Sequence, residues 1–361
     1  TPSEYGLATM ALVFASLVLV FSDLALGAAL VQRADLSEDD RSTAFWTSVA
    51  AGLAFTGLGV AASWPIAAFY GEPGVQPLFA ALSFSFLVAS LGATQGALLV
   101  REMSFRAIEV RTMISTFAGA GVGIALAFDG RGAWAIIAQQ LTVAAVQSLL
   151  LWTASSWRPR LRVSRASLAS IGSFSGNVLG QRLLYYVHRN ADNLLIGRFV
   201  GADGLGVYAL AYNVMLQPLA RIAGPVQDVM FPAFARMQHD RREMGDAWLR
   251  ATRLVGAITV PALAGLVVVA PDFVEVVLGG RWAAAAPVIQ VLAWVGLLQS
   301  LQALNGDMLQ ALDRTGLLLR YAIVFFACHM TAFLVGLPFG VLGVAVAYAV
   351  SSTVVWNRQW S

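Results

Sequence analysis

No lysine occurs anywhere in this chain; all 23 of its basic residues are arginines. That absence excludes a glycine-rich phosphate loop, which places a lysine on the β- and γ-phosphates, so ATP hydrolysis of that kind is not available. Cysteine is almost missing as well. Cys328 stands alone in an apolar run, which excludes a disulfide framework or a cysteine-based metal site and leaves a small buried hydrophobe. No HExxH or DxDxG pattern is present. Charge is scarce too: 12% of residues carry it, against about 25% in a soluble domain. No cofactor and no nucleic-acid partner is expected, and the net charge of +3 matters less than where the charges lie.

What fills the chain instead is apolar sequence. Of 361 residues 58% are hydrophobic, mean hydropathy is +0.71, and apolar runs of membrane-spanning length recur from end to end. This predicts an all-α polytopic membrane protein. Eleven crossings are expected, at 6–31, 43–69, 75–99, 107–128, 132–155, 167–200, 203–235, 251–270, 284–312, 318–337 and 340–357. The joints are polar or rich in turn formers, among them YGEPG (70–74), FDGRG (128–132), GADG (201–204), LGGRW (278–282) and GLPFG (336–340). None is long enough for a soluble domain.

Arginine placement tests this map. If the 33–42 joint is cytoplasmic and sides alternate, 17 arginines gather on the cytoplasmic side and only Arg131 and Arg281 on the other. Such one-sidedness is a positive-inside signal and assigns the first residue outside and the last inside. Both ends read as cut from a longer protein, with one earlier span expected and twelve in all. A weak internal repeat, TPSEYGLATMALVF (1–14) against GADGLGVYALAYNV (201–214), suggests two six-span halves. An even span number makes them parallel repeats, two lobes around a central cavity. The division expected is 1–155 for the first lobe, 156–166 for an arginine-rich cytoplasmic connector and 167–361 for the second lobe.

The stretch HRNADNLLIG (188–197) is then either a loop or a set of charges inside a span. The repeat moves the turn to GADG, whose glycines suit a tight turn, and leaves Arg189 and Asp192 on a long helix. Other ionisable residues also lie away from the joints: Asp23, Arg182, Arg198, Arg221, Asp228 and Asp307. A charge facing lipid costs about 2.5–3.5 kcal/mol even on gentle scales, so these should face a cavity or each other. Arg182, Arg189 and Asp192, with Tyr185, share one helical face by their spacing; Arg221 and Asp228 share a face of the next helix, with Gln217 one turn away. Simpler readings are an Arg189–Asp192 ion pair, an Arg198 that snorkels to the headgroups, and Asp23 and Asp307 satisfying nearby backbone. His188 adjoins the turn region and His239 is a solvated loop residue. Prolines 218, 225 and 232 recur every seven residues, which predicts a kinked or partly opened helix with freed carbonyls near Arg221 and Asp228.

FSDLALGAALVQR, STAFW, FYGEP, ALLVREMSFR, RNADNLLIGRFVGADGLGVYALAYNVMLQP, VMFPAFARMQHD and GDMLQALDRTG resemble the oligosaccharide flippases of bacterial surface-polysaccharide pathways. The likeness is to the colanic-acid, exopolysaccharide and teichuronic-acid branch of the multidrug/oligosaccharidyl-lipid/polysaccharide exporter superfamily. It implies a multi-pass protein of the bacterial inner membrane, not an enzyme, with two six-helix lobes around a cavity and alternating access. Its cargo would be an undecaprenyl-diphosphate-linked oligosaccharide, with H⁺ or Na⁺ as coupling ion and membrane lipids and a polymerase/glycosyltransferase complex as partners. On that basis Arg182, Arg189 and Arg221 are expected to receive the diphosphate, because the guanidinium fork suits phosphate oxygens. Asp192, Asp228, Asp23 and Asp307 are expected to orient those arginines or to take part in ion coupling. The alternatives are a drug/cation antiporter, with a more acidic and aromatic cavity, and a non-transporting scaffold of a synthase complex. A membrane-bound glycan polymerase would need a sizeable outer loop, and the outer loops are short.

Overall fold

The computed structural model describes residues 1–22, 30, 36–164, 186 and 189–359. Asp23, Arg182, Tyr185 and His188 lie outside the described residues. The chain divides into two compact units, Leu7–Asn190 and the set Thr1–Gly6 with Ala191–Ser361. Among the described residues, seven segments are long and apolar enough to cross a membrane. The protein is an all-α polytopic membrane protein.

The first unit is built on α1 (Pro2–Ser22), α2 (Glu38–Tyr70), α3 (Val75–Arg101), α4 (Phe105–Phe128) and α5 (Ala133–Ala154), with the opening turn of α1 grouped in the other unit. α2 starts at a capping box: Ser37 Oγ accepts from the Asp40 N–H at 3.1 Å, and the Asp40 carboxylate accepts from the Ser37 N–H at 3.1 Å. It ends at Gly71, whose φ of 72° is the left-handed conformation a glycine cap tolerates. Lipid gives packed helices no hydrophobic reward over exposed ones, so close approach through small residues holds α2 to α3. Gly52 and Gly59 face Ser90 and Ser83, and a Cβ at Gly52 would stand 2.6 Å from that of Ser90. The serine hydroxyls are satisfied within α3, Ser83 donating to Phe79 O at 2.8 Å and Ser90 to Leu87 O at 2.7 Å.

After α5 the chain runs as an extended strap along the start of α2. Trp46 Nε1 donates to Arg160 O (2.8 Å), the Arg160 N–H to Ser42 Oγ (3.1 Å) and the Ser164 N–H to Thr43 Oγ1 (2.9 Å). Trp157 Nε1 donates to Glu38 Oε2 at 3.0 Å. A strap with no helix of its own thereby has backbone partners from side chains, while the Arg160 and Arg162 side chains stay exposed.

The second unit holds the short helix α6 (189–199) from Ala191 onward, α7 (Ala202–Arg236), α8 (Arg241–Phe273), α9 (Ala285–Gln302), α10 (Asn305–Ala311), α11 (Thr315–Gly336) and α12 (Gly340–Gln359). α8 begins at Asp240, whose carboxylate accepts from the N–H groups of Arg242 (2.9 Å) and Glu243 (3.0 Å). It ends in a π-helical turn, Val274–Leu278, before Gly279 at φ 85°. α9 packs on α7, α8 and α12, and breaks at Ala303–Leu304 before α10. α11 and α12 form a hairpin around Leu337–Phe339 and Gly340, φ 71°. The first turn of α1 lies against the start of α7: a Cβ at Gly6 would collide with the Ala202 carbonyl, and one at Gly206 with that of Pro2. Two glycines in register let these backbones touch.

Candidate functional site

The turn that ends α6 falls at GADG. The N–H groups of Val200 and Gly201 both point to Ile196 O, at 2.8 and 3.1 Å, and Gly201 takes φ 91°. Residues 189–192, the polar part of HRNAD, are therefore helical rather than looped. Arg189 is exposed on that helix. Asp192 is buried, and its carboxylate accepts from the Tyr208 hydroxyl at 2.9 Å and from the Asn193 N–H at 2.8 Å. Tyr208 comes from α7, is fully buried and stacks on Tyr212 with ring centroids 6.1 Å apart. A carboxylate in this position ties α6 to α7. Arg198 is exposed beside the Phe199 ring, its guanidinium carbon 6.0 Å from the centroid.

α7 is a two-sided helix. Its 35 residues reach about 52 Å at 1.5 Å per residue, yet it is not among the seven apolar segments. One face is buried through Leu205, Tyr208, Met215, Leu219, Ala223 and Phe234. On the other, Asn213, Gln217, Arg221 and Asp228 are all exposed, at spacings of four, four and seven residues. Asn213 donates to the Tyr5 hydroxyl at 3.1 Å. Arg221 and Asp228 sit two turns apart, about 10 Å along the axis, too far to neutralise each other directly. Among the described residues neither Arg189 nor Arg221 has an ion-pair partner.

The prolines sharpen this face. Pro218, Pro225 and Pro232 all lie inside α7. Each lacks the N–H that would pair with the carbonyl four residues earlier, so the carbonyls of Val214, Arg221 and Asp228 lose their ladder bonds. A guanidinium, a carboxylate and unpaired backbone oxygens thus share one stripe. The helix nevertheless continues through all three prolines.

At the lower end of the stripe, Asp307 stands in the first turn of α10 with its Oδ2 buried and without a hydrogen bond. Asp228 and the Gln227 amide, both on α7, lie within electrostatic reach of this carboxyl group. Gln227 Nε2 donates to Ala303 O at 2.7 Å, where the helix break frees the carbonyl, and Trp248 Nε1 donates to Asn305 Oδ1 at 3.1 Å. Phe234, Met244, Ala247, Ala251, Leu304 and Ala311 close the apolar side of this junction. Of the sequence-derived site residues, the structure therefore brings Arg221, Asp228 and Asp307 onto one end of the second unit and sets Asp192 into a buried bond with Tyr208. Asp23 and Arg182 lie outside the described residues.

One polar group escaped the sequence-derived set. His329 lies mid-helix on α11 against Tyr348 and Ser352 of α12, ring centroids 4.9 Å apart for the His–Tyr pair. The signal was present in the sequence: an ionisable residue inside LLLRYAIVFFACHMTAFLVG meets the same criterion that singled out Asp307.

Known proteins place this arrangement. Residues 1–287 match the model of a family described as polysaccharide biosynthesis protein. The teichuronic acid biosynthesis protein TuaB of Bacillus subtilis is 32% identical over 352 residues, covering 95% of this chain and 71% of that protein. The lipopolysaccharide biosynthesis protein WzxC of Escherichia coli is 30% identical over 348 residues, 96% of this chain and 71% of its relative. Among solved structures, the lipid II flippase MurJ in an inward closed conformation superposes with a TM-score of 0.76 at 14% identity, over 98% of this chain and 79% of MurJ. An inward-facing MATE multidrug resistance transporter of the MOP superfamily gives 0.75 at 14% identity, over 100% of this chain and 93% of that one. The chain belongs to the polysaccharide biosynthesis protein family and is a multi-pass membrane protein with the fold of the solved MOP-superfamily transporters.

Proposed function

We propose that this protein is a transporter and not an enzyme: a flippase for undecaprenyl-diphosphate-linked oligosaccharides, carrying repeat units from the cytoplasmic to the outer leaflet for surface-polysaccharide synthesis. The observation that carries the reading is the exposed stripe of α7, where Arg221 stands, among the described residues, without an ion-pair partner. A diphosphate head must cross about 30 Å of hydrocarbon, and unneutralised guanidinium groups lower the barrier to its entry. Two relatives whose names place them in teichuronic acid and lipopolysaccharide biosynthesis point to the same class of cargo.

In this reading the chain forms eleven spans, arranged as two lobes (1–155 and 167–361) joined by the 156–166 connector, with alternating access. Arg182, Arg189 and Arg221 receive the diphosphate. Asp228 and Asp307 orient them or bind the coupling ion, H⁺ or Na⁺, with Asp23 and Asp192 as further candidates. The partners are the lipid-linked cargo, the surrounding lipids and a polymerase/glycosyltransferase complex.

The test uses the full-length protein in cells that depend on it for surface polysaccharide. At equal membrane abundance, Arg189→Ala and Arg221→Ala should each reduce surface polysaccharide at least tenfold, and Arg221→Lys, which keeps charge but loses the planar fork, should retain an intermediate level. Wild-type polysaccharide from both alanine variants would remove the arginines from the path. A scaffold predicts lowered abundance with polysaccharide per molecule unchanged.

A further inference from the structure

α11 carries a ladder of rings at four-residue spacing. Tyr321–Phe325, Phe325–His329 and His329–Phe333 have centroids 6.2, 6.3 and 6.3 Å apart. Tyr348 of α12 closes it, edge-on to His329 at 4.9 Å and tilted against Phe333 at 5.3 Å. Three of the four ladder positions are aromatic in the ordinary sense. A phenylalanine at the fourth would complete the same packing without bringing an ionisable group into a membrane span, where such groups are costly.

The imidazole meets polar atoms at this place. His329 Nε2 stands 3.4 Å from Ser352 Oγ, and the Tyr348 hydroxyl accepts from Gln299 Nε2 at 2.9 Å. Tyr348 and Ser352 are both buried. A serine hydroxyl serves either protonation state, donating to a bare ring nitrogen or accepting from an N–H. Around them the Phe325 and Phe333 rings flank the imidazole, and ring faces tolerate a cation at about 6 Å from their centroids. The pocket is thus compatible with both forms of the ring, which a purely structural histidine does not require.

Among the described residues, Tyr348 is the titratable group that α12 turns toward His329. The 3-10 turn Leu337–Phe339 contributes none. α10 and the joint after it hold Asp307, Asp313 and Arg314, all near the start of α11 and about 20 Å down its axis from residue 329. On α11 itself Arg320 lies more than two turns away and Cys328 is the adjacent residue.

We infer that His329, with Ser352 and Tyr348, is a proton-binding site inside the second unit, through which pH acts on the α11–α12 hairpin. Protonation turns Nε2 into a donor to Ser352 Oγ and draws α12 toward α11 at that level; loss of the proton releases it. α12 is tied onward to α9, since Trp294 Nε1 donates to Thr353 Oγ1 at 3.0 Å and Gln299 holds Tyr348. A change at His329 is therefore communicated to the helix that packs on α7. The inference stands on the α11–α12 geometry and makes no use of the proposed cargo.

The experiment is a pH titration of the full-length protein, ¹⁵N-histidine labelled, in nanodiscs of zwitterionic lipid. His329 is assigned by the signal missing from His329→Gln. We expect its ring nitrogens to titrate within about pH 5–8, the range in which imidazole groups ordinarily change charge. Ser352→Ala and Tyr348→Phe should each move the midpoint by at least half a pH unit, while the remaining histidines keep theirs. The thermal unfolding midpoint of the wild type should show a pH-dependent step that His329→Phe abolishes. Ring nitrogens that hold one protonation state throughout would overturn the inference, as would midpoints indifferent to both neighbours. Should His329→Gln fail to fold, Ser352→Ala and Tyr348→Phe decide the matter, since each leaves the imidazole in place and assigns it by its displaced titration. Surface polysaccharide is not a readout here, so a wrong cargo and a wrong proton site give different failures.

Discussion

Alanine at Gly206 sets two effects of opposite sign against each other. In a helix interior alanine is favoured over glycine by about 1 kcal/mol, so with open space around it the change should stabilise. Gly206 has no such space. Its Cβ would land on the Pro2 carbonyl, 2.8 Å from the carbonyl carbon and 3.1 Å from Gly6 N. These obstacles are backbone atoms, which cannot rotate aside as a side-chain tip would. Relief requires α1 and α7 to separate by roughly an ångström, and overpacking of this kind costs about 1–3 kcal/mol, here at the upper end. The net expectation is a loss of about 2 kcal/mol. Gly57 and Gly265 supply the control, because each is helical and nothing lies within 4 Å of a Cβ built there. Gly57→Ala and Gly265→Ala should leave the unfolding midpoint equal or raise it. The assay is thermal unfolding in detergent micelles, followed by tryptophan fluorescence. Gly6→Ala should behave like Gly206→Ala, since its Cβ would meet the Ala202 carbonyl carbon at 2.6 Å. The double variant should lose less than the sum of the singles, because one separation relieves both clashes. If Gly206→Ala unfolds at the same temperature as Gly265→Ala, the backbones do not touch and the reasoning is wrong.

Tyr208→Phe takes a donor from the buried Asp192 carboxylate and should cost about 1–3 kcal/mol, read as a lower thermal unfolding midpoint in detergent. Trp157→Phe and Trp46→Phe each remove one bond that holds the strap to α2, about 1 kcal/mol apiece; tryptic cleavage after Arg160 and Arg162 should accelerate in both. Pro225→Ala returns an N–H to the Arg221 carbonyl, so α7 should gain up to about 3 kcal/mol and unfold at a higher temperature. If the freed carbonyl or the flexibility it brings serves transport, that variant should export less than the wild type at equal abundance; unchanged export would make the proline only structural.

The turns were legible because glycine chemistry marks them. Gly71, Gly130, Gly201, Gly279 and Gly340 all adopt positive φ, and each falls in a joint read from turn formers. Helix lengths were less legible, for a physical reason. Apolar runs at 43–69 and 251–270 mark where hydrocarbon begins, whereas the helices Glu38–Tyr70 and Arg241–Phe273 continue to the caps at Ser37 and Asp240. Hydropathy measures the solvent, and capping ends the helix. The break at Ala303–Leu304 had no proline to announce it. The stripe of Gln217, Arg221 and Asp228 followed directly from spacing on one helix. Asp192 shows where such spacing stops: its hydrogen bond to Tyr208 comes from the next helix, and no periodicity within a single helix reports that. His329 was passed over although it stands in an apolar run, and its surroundings depend on Tyr348 and Ser352, about twenty residues further along the chain.

The central claim is that arginine on the α7 stripe carries an anionic lipid head across the membrane. Its most direct measurement is translocation of a fluorescent undecaprenyl-diphosphate-linked oligosaccharide in proteoliposomes holding equal amounts of full-length wild type or Arg221→Ala. The account predicts rapid translocation by the wild type and a rate at least tenfold lower for the variant, with Arg221→Lys between them. Equal rates for wild type and Arg221→Ala would contradict it.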